Sequence, residues 1–381
     1  MNATRVLVLN SGSSSLKYRL CGDGGDRGGV VEGIGEPGSE VADHAAAVGR
    51  VLAESGGQEI AAVGHRVVHG GARFREPVLV DDGVLAAIRD LSALAPLHNP
   101  ANVTGIEAAR RALPGVPQVA VFDTAFHATL PPAAATYAVD RELAERYGIR
   151  RYGFQGISVG WVVARTGELL GRPVAELNLI VLHLGNGASA TAVAGGRSVE
   201  TSMGLTPLEG LVMGTRTGDL DPAVTFHLAR AAGLSLDEIE DRYQHRSGLA
   251  GLCADNDVRK VEARAADGDP AARLALDVYC HRIRKYVGAY HAVLGRLDAI
   301  VFTAGVGEHS TVVREGSLAG LEPLGIAVDP DRNRAGDAAR VISPDGSRVA
   351  VCVVPTDEER AIAEEVSRLL AARSVPPRGA G

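Results

Sequence analysis

The chain has 381 residues, 46% of them hydrophobic and 22% charged, with a formal net charge of −7. This length accommodates two domains with separate cores, and the acidic balance argues against non-specific nucleic-acid binding. No apolar run is long enough to cross a bilayer, and Met1-Asn-Ala-Thr-Arg passes straight into a strand with no signal-peptide core. The four cysteines (Cys21, Cys253, Cys280 and Cys352) are scattered without metal-ligand spacing and read as reduced thiols. The expectation is a soluble cytoplasmic protein, with neither nucleic acid nor membrane as partner.

Residues 6–20, Val-Leu-Val-Leu-Asn-Ser-Gly-Ser-Ser-Ser-Leu-Lys-Tyr-Arg-Leu, read as an apolar strand, a small polar turn and a second strand. The many glycines of residues 22–38 suggest loose turns at a sheet edge, since no helix start follows directly. An Ala-rich helix is expected over 43–55. A buried strand from Ile60 then releases Arg66 and His69 before a glycine turn. A charge leaving an apolar strand either belongs to a structural ion pair or faces an anionic ligand. Asn99 is expected as the N-cap and Pro100 as the first residue of a helix that stops before Pro114. Residues 117–123 form another buried strand ending on Asp123, which either contacts Mg²⁺ or caps the next turn. A short helix near 140–147, a loop at 150–156 and a helix over 158–170 follow.

The stretch that organises the chain is residues 179–194, Leu-Ile-Val-Leu-His-Leu-Gly-Asn-Gly-Ala-Ser-Ala-Thr-Ala-Val-Ala. Gly185-Asn186-Gly187 supplies a turn between two strands whose tip offers backbone N–H groups to phosphate oxygens. It repeats the device of residues 6–20, so the chain reads as a domain-sized duplication. Two such hairpins imply nucleotide phosphates in a cleft between two similar domains. Residues 201–219 form an ordered, glycine-punctuated loop with Arg216 at its functional end. Asp221-Pro222 and a Ser235/Glu238 capping box open the next helices. A long helix from Asp269-Pro270 to about Gly295 packs Leu274, Val278, Ile283, Val287 and Leu294 into the core. Ala299–Ser310 reads as a strand ending in a glycine turn where a flat ligand could approach the backbone. Thr356 and Glu359 read as a capping box for the last helix, followed by a frayed tail from Ser374.

Eight motifs, in family order and spanning essentially the whole chain, resemble those of the acetate kinase family. They are Asn10-x-Gly-Ser-Ser-Ser-Leu-Lys-Tyr, Gly64-His-Arg-Val-Val-His-Gly-Gly, Pro96-Leu-His-Asn-Pro, Phe122-Asp-Thr-Ala-Phe-His, His183-Leu-Gly-Asn-Gly, Met203-Gly-x-Thr-Pro-Leu-Glu-Gly, Met213-Gly-Thr-Arg and Phe302-Thr-Ala-Gly-x-Gly-Glu. The resemblance implies a duplicated α/β fold of the actin-like, ribonuclease H-like kind, with an interdomain cleft. It implies residues 1–124 plus 359–381 as one domain. Residues 125–358 would form the second, carrying nucleotide binding and a homodimer contact. It further implies reversible transfer between ATP and acetate, or another short-chain carboxylate, giving ADP and acetyl phosphate with Mg²⁺.

By the same resemblance, Asn10, Ser13, Ser15 and Lys17 sit near the phosphates and the metal, with Asp123 and Glu358 supporting Mg²⁺. Arg66 and Arg216 clamp the carboxylate and the phosphoryl group. Val68, Leu97, Phe154 and Pro207 wall the acetate methyl. His183, Leu184, Gly185, Asn186 and Gly187 approach the phosphates, while Asp257, Val258, Arg259, Gly305, Val306 and Gly307 surround the adenosine. The family loop Gly-Phe-His-Gly-Thr-Ser-His is here Gly153-Phe-Gln-Gly-Ile-Ser-Val. Gln155 therefore stands where the family has a histidine that donates toward the transferring group, and Ile157 and Val159 replace two further polar residues. His309, Val258 and Asp357 are smaller departures. Two alternatives remain open: a propionate or butyrate kinase, and a nucleotide-binding member with reduced or lost turnover.

Overall fold

The computed structural model describes residues 5–22, 25–55, 59–96, 98–336 and 338–374. The chain divides into two units, Met1–Ala128 with Asp357–Gly381, and Thr129–Thr356.

In the first unit, β1 (Val6–Ser11) turns back into β2 (Ser15–Cys21), and β2 into β3 (Arg27–Glu32). Then come α1 (His44–Glu54), β4 (Ala62–Val67), β5 (Val78–Leu79), α2 (Asp82–Asp90), α3 (Asn99–Ala112) and β6 (Gln118–Phe122). The six strands lie in the order β3-β2-β1-β4-β6-β5, with β1, β4 and β6 parallel and the remaining pairs antiparallel. The parallel strands are apolar on both faces because helices cover both. One cluster packs Leu7, Leu9 and Leu16 against Val48 and Val51 of α1. The other sets Phe122 against Ile88, Ile106 and Phe74, with the Phe74 and Phe122 rings stacked at 4.6 Å. The C-terminal helix (Glu358–Ser374) completes this unit over β4. Its approach requires Gly64, where a Cβ would stand 2.7 Å from Ile362 Cγ2 and 2.9 Å from Val366 Cγ2.

The second unit opens with α4 (Pro132–Ala135), α5 (Arg141–Tyr147) and α6 (Gly156–Leu170). Three strands follow, β7 (Asn178–Leu184), β8 (Ala188–Ala194) and β9 (Arg197–Thr201). Beyond the long ordered loop lie α7 (Ala223–Ala231), α8 (Leu236–His245), α9 (Gly248–Cys253), α10 (Val258–Ala266) and α11 (Pro270–Leu294). The unit closes with β10 (Ala299–Thr303), α12 (Ala304–His309), α13 (Thr311–Leu318), α14 (Pro330–Arg334), β11 (Arg340–Val341) and β12 (Ala350–Val353). Its sheet order, β9-β8-β7-β10-β12-β11, reproduces the first sheet strand for strand. The directions match too: β7, β10 and β12 are parallel and the other pairs antiparallel. The duplication suggested by the two hairpins therefore extends to whole sheets. Among the described residues no helix is long and apolar enough to cross a membrane.

Five local expectations are corrected. Arg27–Glu32 is a paired strand rather than loose turn, because its glycines let backbone pack against β2: a Cβ at Gly28 would lie 2.6 Å from the Tyr18 carbonyl. Asn99 is the first helical residue of α3, not its cap. Its buried amide accepts from the His69 N–H and donates to the His69 carbonyl, both at 3.1 Å. Leu274 points to solvent; Ile283 and Val287 are buried as expected, and Ala272, Ala275 and Tyr279 continue their stripe, the small alanines having concealed its phase. The glycines after β10 belong to α12 rather than to a turn. Finally, Asp357 caps the last helix, accepting from the Arg360 N–H at 3.1 Å. Thr356 and Glu359 find other partners, described below. The tail beyond residue 374 lies outside the described residues.

His65 on β4 is buried and bonded through Nε2 to Gln118 Oε1 at 2.7 Å. Burial pushes its pKa from 6.5 down to about 4. Between those values the unfolded chain binds the proton and the folded chain does not. This contribution is thus complete above about pH 6.5 and is lost as pH falls toward 4. Denaturation at pH 4.5 and pH 7.5 should show the difference in stability shrinking by roughly 2–3 kcal/mol in His65→Gln. An equal pH dependence in both proteins would refute this.

Candidate active site

In the first unit the site grows from the carboxyl ends of the three parallel strands. Asn10 leaves β1, Arg66 leaves β4, and Asp123 follows β6, held there by its N–H on the Val67 carbonyl at 3.0 Å. The Arg66 guanidinium reaches Asp123 Oδ2 at 2.5 Å, Asn10 Oδ1 at 3.3 Å and Glu358 Oε2 at 3.8 Å. Arg66 is therefore ion-paired, and it still keeps 23% of its side chain exposed. Burial pushes the Asp123 carboxyl up to about 6, opposed by Arg66 and reinforced by Glu358. Asp123 Oδ1 has no hydrogen-bond partner among the described residues.

The strand exit is braced from α3, where Asn102 accepts from the Val68 N–H at 3.1 Å and donates to the Ser11 carbonyl at 2.8 Å. Val68 itself is buried. Lys17 is exposed and pairs with Glu359 at 2.6 Å, which explains why Glu359 forms no capping box. Ser13 is exposed, and the Ser15 carbonyl closes the hairpin turn on the Gly12 N–H at 2.8 Å. Leu97 lies outside the described residues.

In the second unit the hairpin tip 185–187 is the centre. Gly185 N–H donates to the Gly187 carbonyl at 3.1 Å, and Gly214 N–H to the Asn186 carbonyl at 3.0 Å. Gln155 sits at the N-cap of α6 with φ 61, the left-handed region that favours glycine. Its amide is spent on the hairpin: Nε2 donates to the Gly187 carbonyl at 3.3 Å and Oε1 accepts from Ser189 Oγ at 2.5 Å. A Cβ built at Gly187 would stand 3.5 Å from an Arg216 nitrogen and 3.6 Å from Gln155 Nε2, so both side chains flank the turn.

Arg216 is half-buried and donates to the Pro207 carbonyl at 3.2 Å. No carboxylate pairs with it among the described residues, and desolvation lowers its pKa. Phe154 is buried beside Gln155 in the chain. His183 accepts or donates at Nδ1 with Ser158 Oγ at 2.8 Å, and Leu184 is core.

Beyond the hairpin a cavity of about 510 Å³ is lined by Gly185, Asn186, Asp257, Val258, Arg259, Gly305 and Val306. It thus gathers seven of the residues expected around phosphates and adenosine, while His183, Leu184, Gly187 and Gly307 are not among its walls. Asp257 caps α10 and grips Arg259 at 2.7 Å. Glu262, His309 and Ser310 also line the cavity, with Ser310 Oγ bonded to Glu262. Glu262 and Ser310 lay outside the recognised motifs. Only the helical placement of Glu262 one turn beyond Val258 and Arg259 could have found it.

Two like α/β domains, each with a strand-turn-strand device at a central strand end, make a duplicated α/β protein, and its likeness to known proteins makes it a kinase, an enzyme that transfers phosphoryl groups. Residues 37–364 match the Acetokinase family. The chain is 56% identical to the acetate kinase of Streptomyces coelicolor, with 99% of each chain covered. It is 57% identical to that of Clavibacter michiganensis, covering 94% of this chain and 98% of the relative. The crystal structure of Porphyromonas gingivalis acetate kinase superposes with a TM-score of 0.92 at 40% identity, over 96% of this chain and 100% of that one. The chain belongs to the acetokinase family, and its fold is the duplicated actin-like α/β fold.

Removing Arg66 leaves the buried Asp123 carboxylate without its cation. Arg66→Met is expected to destabilise the protein by about 3 kcal/mol, and adding Asp123→Leu to restore most of that loss. Denaturant titration of both single variants and the double variant measures the coupling; additive effects would show that the two charges do not depend on each other.

Proposed function

We propose that the protein catalyses reversible phosphoryl transfer between ATP and acetate, giving ADP and acetyl phosphate. The observation that carries this reading is Arg216: a half-buried guanidinium with no carboxylate partner among the described residues, set against a glycine hairpin beside a nucleotide-sized cavity. A desolvated cation of this kind is completed by an anion. Acetate is the acceptor named for the relatives at 56–57% identity.

Acetate is ionised at neutral pH, so its attack on the γ-phosphorus needs no general base. What the chain must supply is alignment and compensation for charge on the equatorial oxygens, in a direct in-line transfer. In this reading Arg216 and the 185–187 hairpin serve the phosphoryl group, and Arg66 serves the carboxylate. Of the described residues, Val68, Phe154 and Pro207 are the ones the family resemblance assigns to the methyl group. Gln155 keeps the hairpin in register, and the second N–H of its amide is a donor that does not titrate. The cavity between Asn186, Val258 and Val306 takes the nucleoside, with Asp257, Arg259 and Gly305 at its rim and Lys17 toward the phosphates.

The residues suited to a divalent ion are hard oxygen donors: Asn10, Asp123 and Glu358, of which Asp123 Oδ1 is buried and unpartnered among the described residues. Mg²⁺ held there would neutralise phosphate charge. Four free, buried cysteines support a cytoplasmic setting. A homodimer through the second domain, residues 125–358, is supported by α7, which buries none of its residues and exposes Phe226.

The direct test traps acyl phosphate with hydroxylamine, using ATP-Mg²⁺ and acetate, propionate or butyrate. Acetate should give the highest kcat/KM, and Arg216→Ala should lower kcat by about 10²–10³. Binding of ATP without product, with activity restored by Gln155→His, would replace this reading by a nucleotide-binding protein without turnover. For the assembly, Phe226→Asp should convert the dimer to a monomer in sedimentation analysis; a wild-type monomer, or an unaffected variant dimer, would rule out this contact.

A further inference from the structure

The helix that carries Gly305, Val306 and His309 to the cavity cannot hold itself in place. α12 has six residues, fewer than an isolated helix needs to persist. It also starts at Ala304 with φ 65, a left-handed conformation that a non-glycine residue adopts only when its surroundings enforce it.

Side chains supply that enforcement at both ends. At the C-terminal end Arg314, almost wholly buried, donates to the carbonyls of Gly307 at 2.9 Å and Glu308 at 2.8 Å. The same guanidinium is fixed by Asn333, through Oδ1 at 2.6 Å and the carbonyl at 2.8 Å. At the N-terminal end Glu308 folds back over its own helix. A single oxygen, Oε1, accepts from the Ala304 N–H at 2.8 Å and from the Thr356 N–H at 3.1 Å. Thr356 continues the link: its hydroxyl meets Ser158 Oγ at 2.7 Å, and Ser158 meets His183 Nδ1 at 2.8 Å. His183 is the penultimate residue of β7, two residues before Gly185, so the link joins the cavity helix to the root of the hairpin.

We infer that Glu308 is a positioning residue for the nucleotide: through one carboxylate oxygen it locks α12 to Thr356 and, by way of Ser158, to the base of the phosphate hairpin. Glu308 does not line the cavity itself. It acts on the ligand through Gly305 and Val306, whose backbone it holds. The inference rests on the reading of this cavity as the ATP site. What it requires of residue 308 is an oxygen that accepts two N–H groups, not a negative charge, since the amide oxygen of glutamine has two lone pairs for the same donors.

The experiment is ATP titration by calorimetry, with steady-state kinetics and a melting curve, on wild type, Glu308→Ala and Glu308→Gln. Losing two hydrogen bonds to a charged acceptor should weaken ATP binding about 10–100-fold in Glu308→Ala and raise KM for ATP likewise, with KM for acetate little changed. Glu308→Gln should recover most of the affinity. Affinity unchanged in Glu308→Ala, or Glu308→Gln as weak as Glu308→Ala, overturns the inference while leaving the ATP site intact. A wild type that binds no ATP overturns the reading of the cavity instead. If Glu308→Ala does not fold, Thr356→Val cuts the same link at the hydroxyl: weaker ATP binding with an unaltered melting curve supports it, and unaltered binding refutes it.

Discussion

Parallel pairing of three central strands is the constraint on which both sites depend. In a parallel set every strand points its carboxyl end to the same edge of the sheet, and residues just past those ends meet without being near in sequence. In the first unit this delivers Asn10 from β1, Arg66 from β4 and Asp123 from just past β6 to one guanidinium-centred cluster. In the second it delivers His183 and the hairpin from β7, α12 from β10, and Thr356 from just past β12. The antiparallel strands β2 and β8 have a different task. They return the chain from the first central strand immediately, so that the return itself becomes a tight turn at the same edge.

Three arginines show how one side chain serves three purposes according to its partners. Arg314 spends its donors on two main-chain carbonyls and on Asn333, and is sealed from water; it is a strut. Arg66 is neutralised by Asp123 but retains an exposed surface, so it combines a fixed position with access for an anion. Arg216 is partly withdrawn from water and, among the described residues, donates to a carbonyl and a thioether. Among the described residues no carboxylate offsets its desolvation, and that imbalance is what sets it apart from Arg66 and Arg314.

How far the sequence disclosed these arrangements depended on distance along the chain. The hairpins at 6–20 and 179–194 were legible because strand, turn and strand are contiguous, and the Ser235–Glu238 capping box because its partners lie three residues apart. Local rules failed where a residue had a better partner elsewhere. Asn99 had the spacing of a cap but its amide was taken by the His69 backbone. Thr356 had the same spacing, yet its hydroxyl was taken by Ser158, nearly two hundred residues away. α12 was hidden for the opposite reason: its glycines read as a turn, and what makes them helical is Arg314, acting from the next helix, together with the return of Glu308 onto the Ala304 N–H. Gln155 was legible as a departure from the family loop, but that its amide serves Gly187 and Ser189 was not, because nothing in the local sequence pairs them.

The close approach of the C-terminal helix to Gly64 has a consequence for synthesis on the ribosome. Ile362 and Val366 are buried against β4, so the first sheet lacks part of one covering layer until the helix Glu358–Ser374 has been synthesised. The second unit, by contrast, is one uninterrupted stretch, Thr129–Thr356, complete in the nascent chain before that helix emerges. β1 to β6 therefore leave the exit tunnel before the second unit but are enclosed after it. During elongation that part of their apolar face stays open to contact with other chains.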